Sequence, residues 1–190
     1  LVKILAISGS LRTGSSNTAV LQAIAALAPT GVQVILYSGL SELPHFNPDL
    51  DAETPPPTVQ DFRSRLLASD GVLISTPEYA HGVPGTLKNA LDWLVRSGEL
   101  YEKPVALINA SPRSTLAQAS LSETLTTMTA RLIPEASATV ALTNKNLDAS
   151  AICKDPEISR ALSLAITAFA GAIASVITLE TKEAAHQKAK

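Results

Sequence analysis

Three short stretches carry the residue types that could do chemistry. "GSLRTGSSN" (Gly9–Asn17) follows an apolar run and opens a helical pattern. It offers the hydroxyls and amides of Ser10, Ser15, Ser16, Asn17 and Thr18, with Arg12 as its one cation. A helix N-terminus adds free N–H groups and a partial positive charge. That set suits a terminal phosphate monoester, although Ser and Asn also favour ordinary helix caps. The stretch has neither the G-x-G-x-x-G of dinucleotide binders nor the Gly-Lys-Ser/Thr of P-loop nucleotidases. "PEYAHG" (Pro77–Gly82) places an acid, an aromatic and an imidazole together. Either Glu78 and His81 work as acid and base, or Tyr79 walls a slot for a flat ring. In the second reading Glu78 is a solvated charge and His81 a surface histidine, and Gly82 lets backbone N–H groups approach the ligand. "SPRST" (Ser111–Thr115) supplies a hydroxyl at Ser111, and Thr115 with Gln118 has capping-box spacing.

These loops need elements to position them, and apolar β-rich runs alternate with helical stripes. Val2–Ser8, Val32–Tyr37, Asp70–Thr76 and Lys103–Ala110 read as strands, with a fifth near an edge at Ala136–Leu142. The first is apolar with little alternation, which predicts burial on both faces. Helices follow at Ser15–Ala28, at Val59–Leu66, after Pro84 through Leu94, on the stripe Leu121, Leu125, Met128 and Leu132, and after Pro156. The alternation predicts a three-layer, doubly wound parallel α/β sheet of five strands. The expected order is 2-1-3-4-5, the flavodoxin-like one, with ligands past the carboxyl ends of the strands. The three chemistry-bearing stretches then converge at one edge. Ser38–Pro57 is a long proline- and acid-rich loop, of a length that is usually functional or part of an interface. Residues 1–180 read as one domain and 181–190 as a polar tail.

Composition narrows the function. Fifteen Lys plus Arg against 17 Asp plus Glu give no basic field for nucleic acid. One cysteine, Cys153, excludes an internal disulfide and a thiolate cluster and suggests a reducing cytoplasm. His45, His81 and His186 are far apart, so no metal site is expected. No uninterrupted apolar stretch reaches membrane-spanning length, and "LVKILAISGSLR" breaks too early for a signal peptide. No G-x-S-x-G elbow supports a serine hydrolase.

Together, "GSLRTGSSN", "PEYAHGVPGTLKNALDW" and "LPHFNPDLD" (Leu43–Asp51) resemble the NADPH-dependent FMN reductase family, which includes quinone, chromate and azo-dye reductases. The similarity runs from Val2 to about Thr143. It implies that Ser10, Arg12, Ser15 and Asn17, with Thr18 beside them, hold the FMN phosphate. It implies that Pro77, Glu78, Tyr79, Ala80, His81 and Gly82 line the isoalloxazine and that Ser111 closes the third side. NADPH or NADH would be a transient co-substrate, passing hydride to FMN and thence to a quinone, flavin or similar small acceptor in ping-pong fashion. No side-chain acid or base is then required, because the cofactor carries the chemistry. The family is usually dimeric or tetrameric, which places Leu43–Asp51 and the helix after Pro84 near an interface. This sequence departs from the family at two points. The usual Asn after the tyrosine is Ala80, and the third loop lacks a Gly-Gly pair. Two alternatives share the fold: an electron carrier, which the near-neutral charge disfavours, and a flavin-free binding or regulatory domain.

Overall fold

The computed structural model describes residues 1–142 and 147–188, with side chains described through residue 179. Among the described residues, five α-helices and a sixth, long one pack around a parallel sheet. The strands are β1 (Val2–Ser8), β2 (Val32–Tyr37), β3 (Gly71–Ser75), β4 (Pro104–Asn109), β5 (Arg131–Leu132) and β6 (Ala138–Thr139). The helices are α1 (Ser16–Leu27), α2 (Pro57–Leu67), α3 (Gly85–Asp92), α4 (Leu116–Thr127), α5 (Ala149–Lys154) and α6 (Pro156–Lys188). The sheet order is β2-β1-β3-β4-β5, with β6 also pairing to β4.

The middle of each central strand is apolar because it feeds two cores. Ile4, Ala6, Leu73, Ala106 and Ile108 pack with α1, α5 and α6. Leu5, Ile7, Val72, Ile74, Val105 and Leu107 pack with α2, α3 and α4 on the other face. Successive side chains of a strand point to opposite faces, so burial of both erases the polar alternation. The register aligns Ser8 with Ser75, so β1 and β3 finish level and release their loops side by side.

The edge differs from the five-strand expectation. The expected strand over Ala136–Leu142 shortens to β6, which pairs with Ile108 and Asn109, and a separate rung before it, β5, pairs with Pro104 and Val105. Between them a 3-10 turn at Pro134–Ala136 bulges, and Ser137 Oγ accepts from the Leu107 N–H where a strand would have offered a carbonyl. Leu132, expected on the α4 stripe, belongs to β5 instead. The helix ends at Thr127 and Thr129 turns the chain with φ +58°.

α6 adds to the sequence reading. Over Pro156–Leu179 it is long and apolar enough to cross a membrane by length and composition. Part of that apolarity is a stripe, Ile158, Leu162, Ile166, Phe169 and Ile173, buried against the sheet. Short polar interruptions hide the segment from a search for uninterrupted runs. The helix continues without a break to Lys188.

Residues 38–56 contain two 3-10 turns and are tied to α3 rather than loose. Asn89 donates from Nδ2 to the Pro44 carbonyl at 3.0 Å and accepts from the Phe46 N–H at 2.7 Å. Trp93 is fully buried; its Nε1–H also donates to Pro44 O at 2.8 Å, and its ring meets Phe46 edge-on. Farther along, Arg63 bridges buried Asp51 at 2.8 Å and the Trp93 carbonyl. The "KNALDW" segment is therefore a clamp that shapes the long loop.

Candidate functional site

The loops after β1, β3 and β4 meet at the carboxyl edge of the sheet. The first is held mainly by its own hydroxyls. Ser8 Oγ pairs with Thr18 Oγ1 at 2.8 Å, Ser10 Oγ accepts from the Arg12 N–H at 3.3 Å, and Ser15 Oγ caps α1 by accepting from the Asn17 N–H at 3.2 Å. Asn17 is buried and its Oδ1 accepts from Ser75 Oγ at 2.9 Å, which ties the loop to β3. Ser15, Asn17 and Thr18 thus order the cradle through these bonds. Among the described residues, the Arg12 guanidinium makes no ion pair and projects into solvent. The first turn of α1 adds the N–H groups of Ser16 and Thr18, which helix geometry leaves without intrahelical acceptors. This concentrates donors and one positive charge at one place, suited to an anion.

The second loop is a tight turn. Tyr79 and Gly82 exchange both backbone hydrogen bonds, at 3.1 and 3.0 Å, around Ala80 (φ +49°) and His81 (φ +60°). Positive φ at both central positions is the type I′ arrangement, for which Asn-Gly is the preferred pair. Tyr79 is 55% exposed and forms an open wall rather than a lid.

Glu78 faces away from that wall. Its Oε2 accepts from the Ala117 N–H at 2.9 Å, in the first turn of α4, and His81 Nδ1 lies 3.3 Å from its Oε1. The Ala117 N–H, with help from His81, holds the Glu78 carboxyl below the usual carboxylate range. The capping box expected at Thr115 and Gln118 does not form. Thr115 has helical backbone angles and makes no side-chain cap bond, so Glu78 caps α4 from another loop. The His81 side chain is 81% exposed, as a surface histidine would be.

The third loop is organised by a residue the sequence reading passed over. Buried Asn109, at the end of β4, accepts from the Ser111 N–H at 3.0 Å and donates to the Ser114 carbonyl at 3.3 Å. The Ser114 N–H donates to Ser111 O at 2.9 Å, closing a turn with Pro112 and Arg113 at its tip. An Asn at a strand end just before a Ser-Pro pair is the signal that could have found it.

A family model described as NADPH-dependent FMN reductase matches residues 2–145. The chain belongs to that family. It is 44% identical over 112 residues to the NAD(P)H-dependent FMN reductase PA1204 of Pseudomonas aeruginosa, covering 58% of this chain and 60% of that protein. It is 36% identical over 113 residues to a quinone reductase of Escherichia coli, again covering 58% and 60%. The matched stretch thus spans less than two thirds of these curated relatives. Among solved structures, FerB, a flavoenzyme NAD(P)H:(acceptor) oxidoreductase from Paracoccus denitrificans, superposes with a TM-score of 0.74 at 28% identity, covering 92% of this chain and 98% of that one.

Set beside the FMN reductase pattern, Ala80 acquires a physical meaning. Asn tolerates the left-handed region that Ala resists, by about 1 kcal/mol. Ala80→Asn is therefore expected to raise thermal stability by ~0.5–1 kcal/mol and to tighten FMN binding several-fold. Calorimetric melting and fluorescence titration with FMN check this. Unchanged or weaker affinity would show that turn strain does not limit binding.

Proposed function

We propose that this chain binds FMN at the junction of the three loops and uses NAD(P)H to reduce a quinone, flavin or similar small acceptor. The observation that carries the reading is a donor-rich cradle with a free guanidinium beside an open aromatic wall, in a member of the FMN reductase family. In this reading Ser10, Arg12, Ser15, Asn17 and Thr18 form the phosphate cradle. Arg12 supplies the charge, while the others orient backbone N–H groups. Pro77, Tyr79, Ala80, His81 and Gly82 present the ring wall with Ser111 opposite, and Glu78 holds that wall against α4. Bound FMN would accept hydride and return electrons to the acceptor. The chain's own part is to bind, orient and leave one ring face open, which Tyr79's exposure allows. We extend the proposal to a cytoplasmic homodimer or homotetramer. Leu50, Val95 and Tyr101 are exposed near the long loop and the end of α3, apolar surface suited to a second copy.

An absorbance spectrum of the purified protein with FMN, before and after anaerobic addition of NADPH or NADH, tests the reading. Flavin bands that bleach with nicotinamide cofactor alone, and return with a quinone, are expected. Bands that bleach only with an added reductase would mark an electron carrier. A protein that gains no bands with FMN would mark the flavin-free alternative. A monomer by sedimentation would remove the oligomer.

A further inference from the structure

The third loop continues past the ring wall. A cavity of about 520 Å³ lies between α4 and the β5–β6 edge, and its volume falls within the range of small-molecule sites. Pro112, Ser114 and Thr115 of the third loop line it, so it adjoins the three-loop junction rather than standing apart. Leu107, Leu132 and Pro134 give it an apolar side, and Ser122 and Thr139 add hydroxyls. The hydroxyls of Thr115, Ser122 and Thr139 bond to no other described residue. Among the described residues, no Lys, Arg, Asp or Glu lines the space.

Arg113 lies at the start of this cavity in the chain and is uncommitted. It is exposed at the tip of the turn closed by the Ser114 N–H on Ser111 O, and its guanidinium pairs with no described residue. The Glu78–Ala117 bond, at 2.9 Å, fixes the start of α4 against the second loop, so this turn stands beside the Tyr79 wall. The order along the site is therefore an open aromatic wall with Ser111, a free cation, and an uncharged pocket bearing hydroxyls. A guanidinium matches the paired oxygens of a phosphate group. An apolar side with hydroxyls and no charge suits a neutral aromatic base and its sugar.

We propose that the third loop docks the nicotinamide co-substrate: Arg113 pairs with its pyrophosphate, and its adenosine lies in the adjoining cavity. The inference rests on the flavin reading above and names where that reading's hydride donor is held. FMN needs neither element, since its phosphate falls to Arg12 and the first loop. The nicotinamide then reaches the open ring face from the Ser111 side. With no cation lining the cavity, a 2′-phosphate finds no counter-charge there. NADH therefore binds at least as tightly as NADPH.

ADP-ribose is the probe, since it carries the pyrophosphate and adenosine without the reacting ring. Titrated into isotope-labelled protein, with and without FMN, it should give saturable NMR shifts at the amides of Arg113, Thr115, Ser122 and Thr139. Arg113→Gln should weaken ADP-ribose about tenfold, the equivalent of one charge-assisted hydrogen bond, and leave FMN affinity unchanged. In turnover the KM for NADH should rise by a similar factor with kcat unchanged, as for loss of uniform binding. Thr139→Arg supplies the missing cation and should shift the preference toward NADPH about tenfold. Arg113 and Thr139 are both exposed, so neither change burdens the core. Shifts confined to Ser15–Thr18, no saturable shift, equal affinity in Arg113→Gln, or a wild-type preference for NADPH above about tenfold would each overturn the proposal. The two readings fail separately. A protein that takes no FMN but shows these shifts would sink the flavin reading and leave the docking site standing. Flavin bands that bleach with NADH, while Arg113→Gln binds ADP-ribose like the wild type, would sink the docking site alone.

Discussion

Gly9→Ala is expected to lower the melting temperature by ~2–10 °C and to weaken FMN binding at least tenfold. Gly9 is where the first loop leaves β1 and crosses the start of the second. A Cβ there would sit 2.4 Å from Thr76 Oγ1, 2.9 Å from Thr76 Cβ and 3.1 Å from Leu87 Cδ2. Thr76 and Leu87 are both buried, so neither can swing into solvent. The backbone must give instead, and overpacking of this kind typically costs ~1–3 kcal/mol. The Gly9 N–H also donates to the Ser75 carbonyl at 2.8 Å, so the displacement strains the junction of β1 with β3. Its functional effect exceeds its effect on stability. The cradle lies on one side of this crossing and the Tyr79 wall on the other. A ligand that must reach both loses alignment when they move apart. Gly85→Ala is the matched control. An added Cβ there meets nothing within 4 Å, and alanine favours the first turn of α3. Melting curves and FMN titrations of both variants decide the matter. A Gly9→Ala protein that binds FMN like the wild type would show that the two loops need not hold a fixed separation.

That contact spans 67 residues of sequence, which explains why some of the site was legible beforehand and some was not. The central strands were readable because burial on both faces leaves a continuous apolar run, as in Gly71–Ser75. Their order followed from chain connectivity, and the three loops had to meet at one edge. Ser15 was readable as a cap because its partner, the Asn17 N–H, is two residues away. The edge was readable only in part: β6 falls inside the expected segment, but β5 lies before it. Its placement depends on which β4 groups it meets, and Pro134 has no N–H to contribute to a ladder. The Ala80–His81 turn carries neither Asn nor Gly, so its type I′ geometry left no local signal. That Asn89 and Trp93 hold the long loop was not readable, because their partners there lie 43 to 49 residues earlier. Thr115 satisfied the spacing of a capping box but not its conformation. A capping residue needs extended backbone, and Thr115 has φ −92° and ψ −37°.

The same failure of local pattern gives Glu78 its weight. With no cap from Thr115, α4 takes its cap from a carboxylate 39 residues away, and the bond locks the Tyr79 turn to the start of α4. A negative charge at a helix N-terminus is favourable, so charge and hydrogen bond act together. Glu78→Ala removes both and is expected to weaken FMN about tenfold and to speed hydrogen exchange at Ala117. Glu78→Gln keeps an acceptor without the charge and should fall between. The pH dependence separates a specific role from general damage. The folded carboxyl titrates below its unfolded range, so its stabilisation is fully present above the unfolded value, about pH 4.3. It is lost as pH falls through the lower, folded value. The stability gap between wild type and Glu78→Gln should therefore narrow in acid below about pH 4. Melting curves across that range, with FMN titrations at neutral pH, test the pair. If the gap does not narrow in acid, or Glu78→Ala leaves Ala117 protection and FMN affinity unchanged, then the second and third loops hold their positions without this bond.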